Sequence, residues 1–402
     1  MLESYYPVVG GMEAAARMLV RGLIARGIEV MVITRRVRGD LEKAEVGEGA
    51  SIYRVSPVGT GHFSRWVMVL TSLPLLVTMN RRYDVIFVPG FRTLGISAVL
   101  VSRLLHKHCI LQAENNGEMS GEFFAGGLER VHLPPSARVV KFMLAIRNAI
   151  LRRADSFVSI SLDIRAELIS NQVPSDKVTL IPHAVDINRF QPAAGNQKVQ
   201  LRQRLGLPQG KTIVVFTGRL VSWKGLPLLI KVWERIHHNH PHAFLLLVGS
   251  GGTDIYNCED ELKEFVRSNY LQDSVGLTGD VRNVHEYLQA SDIFVFPTEK
   301  DAFGISLIEA MACGLPVVAA RTGAIKEIVT PGQDGLMVEP GDFQQLYAAL
   351  DKLLDDNSLA MSLGAAARRT AMERYSDEVI IEKYIEVFQS FSASAQHAVA
   401  NA

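Results

Sequence analysis

Three cysteines in 402 residues, Cys109, Cys258 and Cys313, stand far apart and show no CxxC spacing. That scarcity excludes a disulfide framework and a cysteine zinc site, and it fits a reducing cytoplasm. Long hydrophobic runs are missing as well: no uninterrupted apolar stretch reaches the roughly 20 residues that a spanning helix needs. Nor does the N-terminus read as a basic segment followed by an apolar one, as a signal peptide does. The expectation is a chain that is not integral to a membrane. Net charge is absent too, with 42 Lys plus Arg against 42 Asp plus Glu, and no nucleic-acid partner is expected. The balance is uneven by halves, 24 cations against 17 acids in residues 1–200 and 18 against 25 afterwards, so the first half is the better suited to an anionic surface. No Asp-x-Asp triplet occurs to hold a divalent ion. His237, His238, His240 and His242 crowd together without a carboxylate or Cys partner set in their spacing, so solvated imidazoles are expected there and metal ligands are not.

What is present is a globular composition, 48% hydrophobic and 21% charged, in a chain too long for one ordinary domain. Short β-branched runs alternate with longer amphipathic ones: EVMVIT (29–34), DVIFVP (84–89), CILQA (109–113) and SFVSI (156–160). A second series follows with TIVVFTG (212–218), AFLLLVG (243–249), VGLTG (275–279), DIFVFP (292–297) and LPVVAA (315–320). Such alternation predicts α/β architecture, two doubly wound parallel sheets in tandem whose facing strand ends form a cleft. The segment IPHAVDINRFQP (181–192) interrupts both periodicities and places the boundary at about residue 182, giving domains 1–182 and 183–378. The helical pattern near 377–391 could join either, so 379–402 could pack back on the first domain. One strand is missing where it is needed. The Gly10–Gly11 loop and its helix arrive with no apolar strand ahead of them, so either the chain starts upstream of Met1 or the first sheet is incomplete and leaves backbone groups unpaired.

EKDAFGISLIEAMACGLPVVAA (299–320) carries the chemistry. A strand ends at Pro297, Gly304 lets the backbone turn closely, and a helix opens over 306–313 with free N–H groups near Phe303, Gly304 and Ile305. Those donors and the helix dipole suit a phosphate. Asp301 and Glu309 flank it as acceptors for hydroxyl groups, and Glu299 could share that task, although Asp before a helix also serves as a plain cap and Glu309 also reads as an exposed helical residue.

These residues resemble a family. TGRLVSWKG, LLLVGSGG, ASDIFVFPTEKDAFGISLIEAMACGLPVVAARTGAIKEIV and DGLMVEPGD follow one another in the order and spacing of the retaining GT-B glycosyltransferases of family four, the glycosyltransferases group one. A weaker match runs through YYPVVGGMEAAARMLVRGL and SISLDIRAELI, so the resemblance covers nearly all of the chain. It implies two Rossmann-like domains and transfer of a sugar from a nucleotide diphosphate sugar, UDP- or GDP-linked, to a glycan or lipid-linked acceptor, with retention and with no metal or other cofactor. Arg219 and Lys224 then stabilise the departing diphosphate. Asp301 stands where the family usually has Glu against the donor sugar, which puts the sugar's hydroxyl pattern in doubt, and Glu309 is implied to hold the ribose. Gly10 and Gly11 are implied to meet the donor from the first domain, though a lone Gly-Gly pair also reads as a simple turn. Gly249 and Gly251 read equally as a turn or as the nucleotide's border.

Where many family members carry His after the strand ending at Ala113, this chain reads LQAENNGEMSGEF. Glu114, Asn115, Asn116 and Glu118 are the acceptor-side candidates, with a solvated loop carboxylate the plainer reading of each Glu. A departing phosphate can itself take the acceptor's proton, so the missing His need not abolish transfer. WVMVLTSLPLLVTM (66–79), broken by Pro74, and the basic amphipathic RVVKFMLAIRNAILRRAD (138–155) are explained as core helices or as peripheral contacts with the inner face of a membrane. Two other readings stay open, a nucleotide-sugar epimerase of similar architecture and a non-catalytic sugar-nucleotide binder.

Overall fold

Runs of Val, Ile, Leu and Phe buried on both faces are the signature of parallel strands, and the computed structural model, which describes residues 1–8, 10–59, 61–122 and 137–400, orders them into two units. The first comprises Met1–His183 together with Asp377–Ala402, and the second Ala184–Ser376.

Among the described residues the first unit runs α1 (Gly11–Ala25), β1 (Met31–Arg35), β2 (Ala44–Gly47), β3 (Ala50–Val55), α2 (His62–Thr78), β4 (Val85–Pro89), α3 (Leu94–Leu105), β5 (His108–Ala113), α4 (Arg138–Leu151), β6 (Ser156–Ser159), α5 (Leu162–Ser170) and β7 (Val178–Leu180). Its strands form two sheets, β1-β3-β2 and β4-β5-β6-β7. All pairings are parallel except β2 with β3, a hairpin turned at Glu48 and Gly49, both with positive φ. Among the described residues no strand joins β1 to β4, which lie in separate sheets. Residues 1 and 2 reach a strand of each: the Met1 ammonium donates to Phe87 O at 2.6 Å and the Leu2 N–H to Ile33 O at 3.1 Å. Two of the exposed edge carbonyls are thereby satisfied without a full strand. Pro74 does not break α2, which continues through it to Thr78.

The second unit runs α6 (Gln197–Arg204), β8 (Thr212–Thr217), α7 (Leu226–Asn239), β9 (Ala243–Val248), α8 (Glu259–Ser268), β10 (Val275–Leu277), α9 (Val284–Gln289), β11 (Ile293–Phe296), α10 (Ile305–Ala312), β12 (Val317–Ala320), α11 (Ile325–Ile328), β13 (Leu336–Val338), α12 (Phe343–Asp355) and α13 (Asn357–Tyr375). Its sheet has the order β10-β9-β8-β11-β12-β13, parallel throughout. In such a doubly wound sheet the strand order reverses between β8 and β11, and ligands bind beyond the carboxyl ends at that point. Asp342 and Asp356 cap α12 and α13 by accepting from Gln345 N and Leu359 N, each at 2.9 Å.

The last helix, α14 (Asp377–Ala400), returns to the first unit. Ile381 and Ile385 pack on Leu23 of α1, and Tyr384 and Phe388 meet the ring of Phe87 edge-on. Gly22 is what permits this approach, since a Cβ there would lie 2.0 Å from Ile381 Cδ1.

Candidate functional site

The loops after β8 and β11 converge at the switch point of the second sheet. Gly225 sits at φ 73°, where a Cβ would lie 2.0 Å from Pro297 O, so the loop after β8 touches the end of β11. Two further bonds tie the loops together: Trp223 O accepts from Glu299 N at 3.0 Å and from Thr298 Oγ1 at 3.4 Å.

This clamp sets the side chains. Lys224 Nζ lies 2.5 Å from Asp301 Oδ2, and both side chains are largely buried. The other carboxylate oxygen of Asp301 accepts from Phe303 N at 3.3 Å. Arg219 is 59% exposed and reaches Asp254 at 2.6 Å. Both cations lie over the Trp223 indole, Arg219 at 5.1 Å and Lys224 at 4.9 Å, so one aromatic face orients the pair. Asp301 therefore caps the turn and holds a lysine, but it is not the helix N-cap. That position belongs to Gly304, at φ 99°.

The first donors of α10 differ from expectation in one respect. Phe303's N–H is engaged by Asp301 and its ring is buried against Tyr375, so Phe303 is a core residue here. The amides of Gly304, Ile305 and Ser306 have no acceptor among the described residues. They form the free positive tip, with Lys224 beside it through Asp301. One turn on, Glu309 is half-buried, and its carboxylate accepts no hydrogen bond among the described residues. Burial pushes its pKa up to about 7 against the partial compensation of Arg189. An exposed helical glutamate it is not: it is a desolvated acceptor without a donor, which is what a pair of hydroxyl groups would satisfy. Gly249, at φ 133°, closes the floor, its Cβ position 2.0 Å from Gly218 O.

In the first unit, Gly10 is the N-cap of α1 with extended backbone, and Glu13 folds back over it, as a Cβ on Gly10 would lie 2.4 Å from Glu13 Oε2. An anion reaches the α1 tip only once Glu13 turns away. Gly90, at the end of β4, lies between Met12 of that helix and Glu114, so the Gly10–Gly11 turn and the acceptor-side loop share one end of this unit.

Glu114 and Glu118 are not solvated. Both are buried, because side chains far away in sequence enclose the loop after β5. Glu114 Oε2 faces His183 Nε2 at 3.0 Å, its Oε1 accepts from Gln112, and Gln112 in turn accepts from Tyr384 of α14. Glu118 accepts from Arg92 Nε at 3.2 Å and weakly from Asn115, while its Oε2 has no partner. Burial, with the neighbouring Glu114 charge, drives its pKa up to about 7 despite Arg92. Asn116 is exposed. His183, Arg92 and Tyr384 were not read from the sequence, since only the fold brings them to this loop.

The histidine cluster also differs. His240 is buried with its Nε2 2.8 Å from Asp351 and its Nδ1 3.8 Å from Asp355, so carboxylate partners do exist, supplied by α12. They face opposite ring nitrogens, an arrangement that clamps an imidazole.

Residues 197–370 match the family Glycosyl transferases group 1, and residues 9–189 match Glycosyltransferase Family 4. An uncharacterised glycosyltransferase of Methanocaldococcus jannaschii is 26% identical over 404 residues, covering 97% of each chain. The GDP-mannose-dependent monoacylated alpha-(1-6)-phosphatidylinositol monomannoside mannosyltransferase of Corynebacterium glutamicum is 33% identical over 219 residues, 52% of this chain and 55% of its own. Among solved structures, Anabaena HepE in complex with UDP superposes with a TM-score of 0.75 at 19% identity, covering 97% of this chain and 98% of its own.

Proposed function

From the premise that the chain belongs to the group 1 glycosyltransferases of family four and has their GT-B fold, we propose that it moves a hexose from a nucleotide diphosphate sugar, UDP- or GDP-linked, onto a glycan or lipid-linked acceptor, with retention and without a metal ion or other cofactor. The observation that carries the reading is the convergence of Lys224, Arg219 and the free amides of Gly304, Ile305 and Ser306 at the switch point of the second sheet. A diphosphate is the anion whose two charged groups need several donors at once.

In this reading the bond from sugar C1 to the phosphate oxygen breaks in an oxocarbenium-like transition state, and charge grows on that oxygen. Lys224, Arg219 and the α10 tip stabilise it, each charge-assisted hydrogen bond contributing roughly 1.5–3 kcal/mol. Two or three of them match what a divalent ion supplies. The acceptor oxygen bonds to C1 on the face that the phosphate leaves, and its proton passes to the phosphate oxygen, so no protein base or covalent nucleophile is needed. Glu309 takes the ribose hydroxyls and Asp301 those of the sugar. The mannosyltransferase of Corynebacterium glutamicum acts on a lipid, as its name states, and HepE holds UDP, which supports the acceptor and donor classes named here.

The test is a scan of UDP-, GDP- and ADP-sugars for release of nucleoside diphosphate, with and without membrane extract, in EDTA and in its absence. Release that depends on acceptor and survives EDTA is expected, with the product's anomeric configuration equal to the donor's. Loss of activity in EDTA overturns the metal-independent reading, and an altered sugar nucleotide formed without acceptor indicates an epimerase.

A further inference from the structure

Charge and burial disagree at one point of the first unit. Arg35, the last residue of β1, is only 5% exposed. Its Nη1 donates to Ser64 Oγ at 2.7 Å and to Gly61 O at 3.4 Å, which fixes the side chain against the start of α2. Its Nε is buried with no acceptor, and Nη2 has none among the described residues. These two N–H groups point the same way and form the edge of the guanidinium that grips a carboxylate or a phosphate with two parallel hydrogen bonds. A buried arginine is as a rule paired, yet among the described residues no carboxylate lies within ion-pair distance of Arg35.

Glu3 is near enough for its charge to act on Arg35, but its carboxylate is already taken. Oε2 faces Arg65 Nε at 3.2 Å, and Oε1 accepts from Thr93 Oγ1 at 3.2 Å. Burial pulls the pKa of Arg35 below its ordinary value, against the Glu3 charge and with that of Arg65. Arg65 Nε makes no hydrogen bond either, so two guanidinium groups share one carboxylate and a positive charge is left over where there is little water. The Arg65 side chain, 32% exposed, gives this cluster an open side. Thr93 is the N-cap of α3, and its hydroxyl serves Glu3 and not the helix. Arg35 and Thr93 both follow the carboxyl ends of parallel strands, where doubly wound sheets take their ligands. Arg92, next to Thr93, holds Glu118 of the loop after β5 at 3.2 Å, which puts the unbalanced charge at the acceptor-side end of this unit.

We propose that Arg35 and Arg65 bind an anionic group carried by the acceptor, a phosphate or a carboxylate, with Arg35 gripping it through Nε and Nη2 and Arg65 meeting it from the solvent side. Glu3 positions Arg65 for this. That the anion belongs to an acceptor rests on the transferase reading above. That an anion binds here rests on the unpaired buried arginine alone.

Isothermal titration of the full chain with inorganic phosphate, and separately with acetate, tests it. Binding at this cluster is the part that Arg35→Met and Arg65→Gln each weaken at least about tenfold and that Arg219→Ala leaves intact. Tighter binding of phosphate marks a phosphorylated acceptor, and tighter binding of acetate a carboxylated one. Arg35→Met should melt no lower than the parent, because the charge it removes is buried without a partner. Should that variant fail to fold, Arg65→Gln carries the same test, since its side chain reaches solvent. In the nucleotide-release assay with membrane extract, both variants should raise the extract needed for half-maximal release at least about tenfold, and by more than they lower the maximal rate. Anion binding that neither variant weakens overturns the site. Anion binding lost in both variants with an unmoved extract dependence overturns its link to the acceptor. Nucleotide release missing from every protein while the anion still binds at Arg35 is a failure of the transferase reading and leaves the site standing.

Discussion

Lys224 and Arg219 carry the same charge but live in different surroundings, so their removal should differ in kind. Lys224 shares a largely buried ion pair with Asp301, and its loss strands a carboxylate away from water. The expected result of Lys224→Ala is a fall in transfer of at least about tenfold, about 1.4 kcal/mol, together with a clear loss of stability. Arg219 is mostly in water and its pair with Asp254 adds about 0–1 kcal/mol. Arg219→Ala should cost activity on the same scale while leaving the denaturation midpoint nearly unmoved, and unchanged turnover in both variants would remove the pair from the mechanism. Glu309 behaves oppositely. Its folded pKa of about 7 exceeds the unfolded value near 4.5, so the folded state binds the extra proton and stability falls as pH rises across that window. Glu309→Gln should therefore raise the melting temperature at pH 8 and yet weaken donor binding there. In the parent protein donor affinity should climb from pH 6 to pH 8 as the carboxylate ionises, which isothermal titration can follow. These residues were legible because glycines and strand ends flank them in sequence. His183 and Tyr384 were not, because the bonds linking them to Glu114 and Gln112 span 69 and 272 positions, and no local pattern records such a meeting.

At the level of elements, Gly225 joins the two loops that make the proposed donor site. With φ at 73° and a Cβ position 2.0 Å from Pro297 O, an alanine there is strained and must also push β11's end away. Gly225→Ala should destabilise the protein by at least about 2 kcal/mol in urea unfolding, with transfer falling as Lys224 parts from Asp301. A variant with wild-type stability and turnover would show that the loops do not depend on this contact. The strands buried on both faces, β8, β9, β11 and β12, could be read as apolar runs because nothing polar interrupts their interior, and β5 could be read from Cys109–Leu111 although Gln112 follows. The hairpin β2–β3 could not. β3 alternates buried and half-exposed residues, β2 is half in water, and a Glu-Gly turn separates them, so the segment has no continuous hydrophobic signal. β7 and β13, three residues each, are too short to show a period. No pattern in the opening residues announces that Met1 and Leu2 bond carbonyls of β4 and β1, Phe87 O and Ile33 O.

Across the whole molecule, Glu118 in the first unit and the half-buried Glu309 in the second share one trait among the described residues, a pKa raised to about 7 by burial. The two lie in different compact units, so their effects on the pH dependence of stability should add. The sign is the same for both: each group binds more protons folded than unfolded between about pH 4.5 and 7, and together they steepen the loss of stability as pH rises through that range. Glu118→Gln and Glu309→Gln should each flatten the curve of unfolding free energy against pH. The double variant should flatten it by the sum of the two, within about 0.5 kcal/mol at each pH. Urea unfolding at several pH values from 5 to 8 measures all four proteins. A double variant with no more flattening than one single variant would mean that the two carboxyls titrate as one coupled pair. An unchanged slope in Glu118→Gln would mean that the fold keeps Glu118 ionised through Arg92, and that desolvation does not govern the loop after β5.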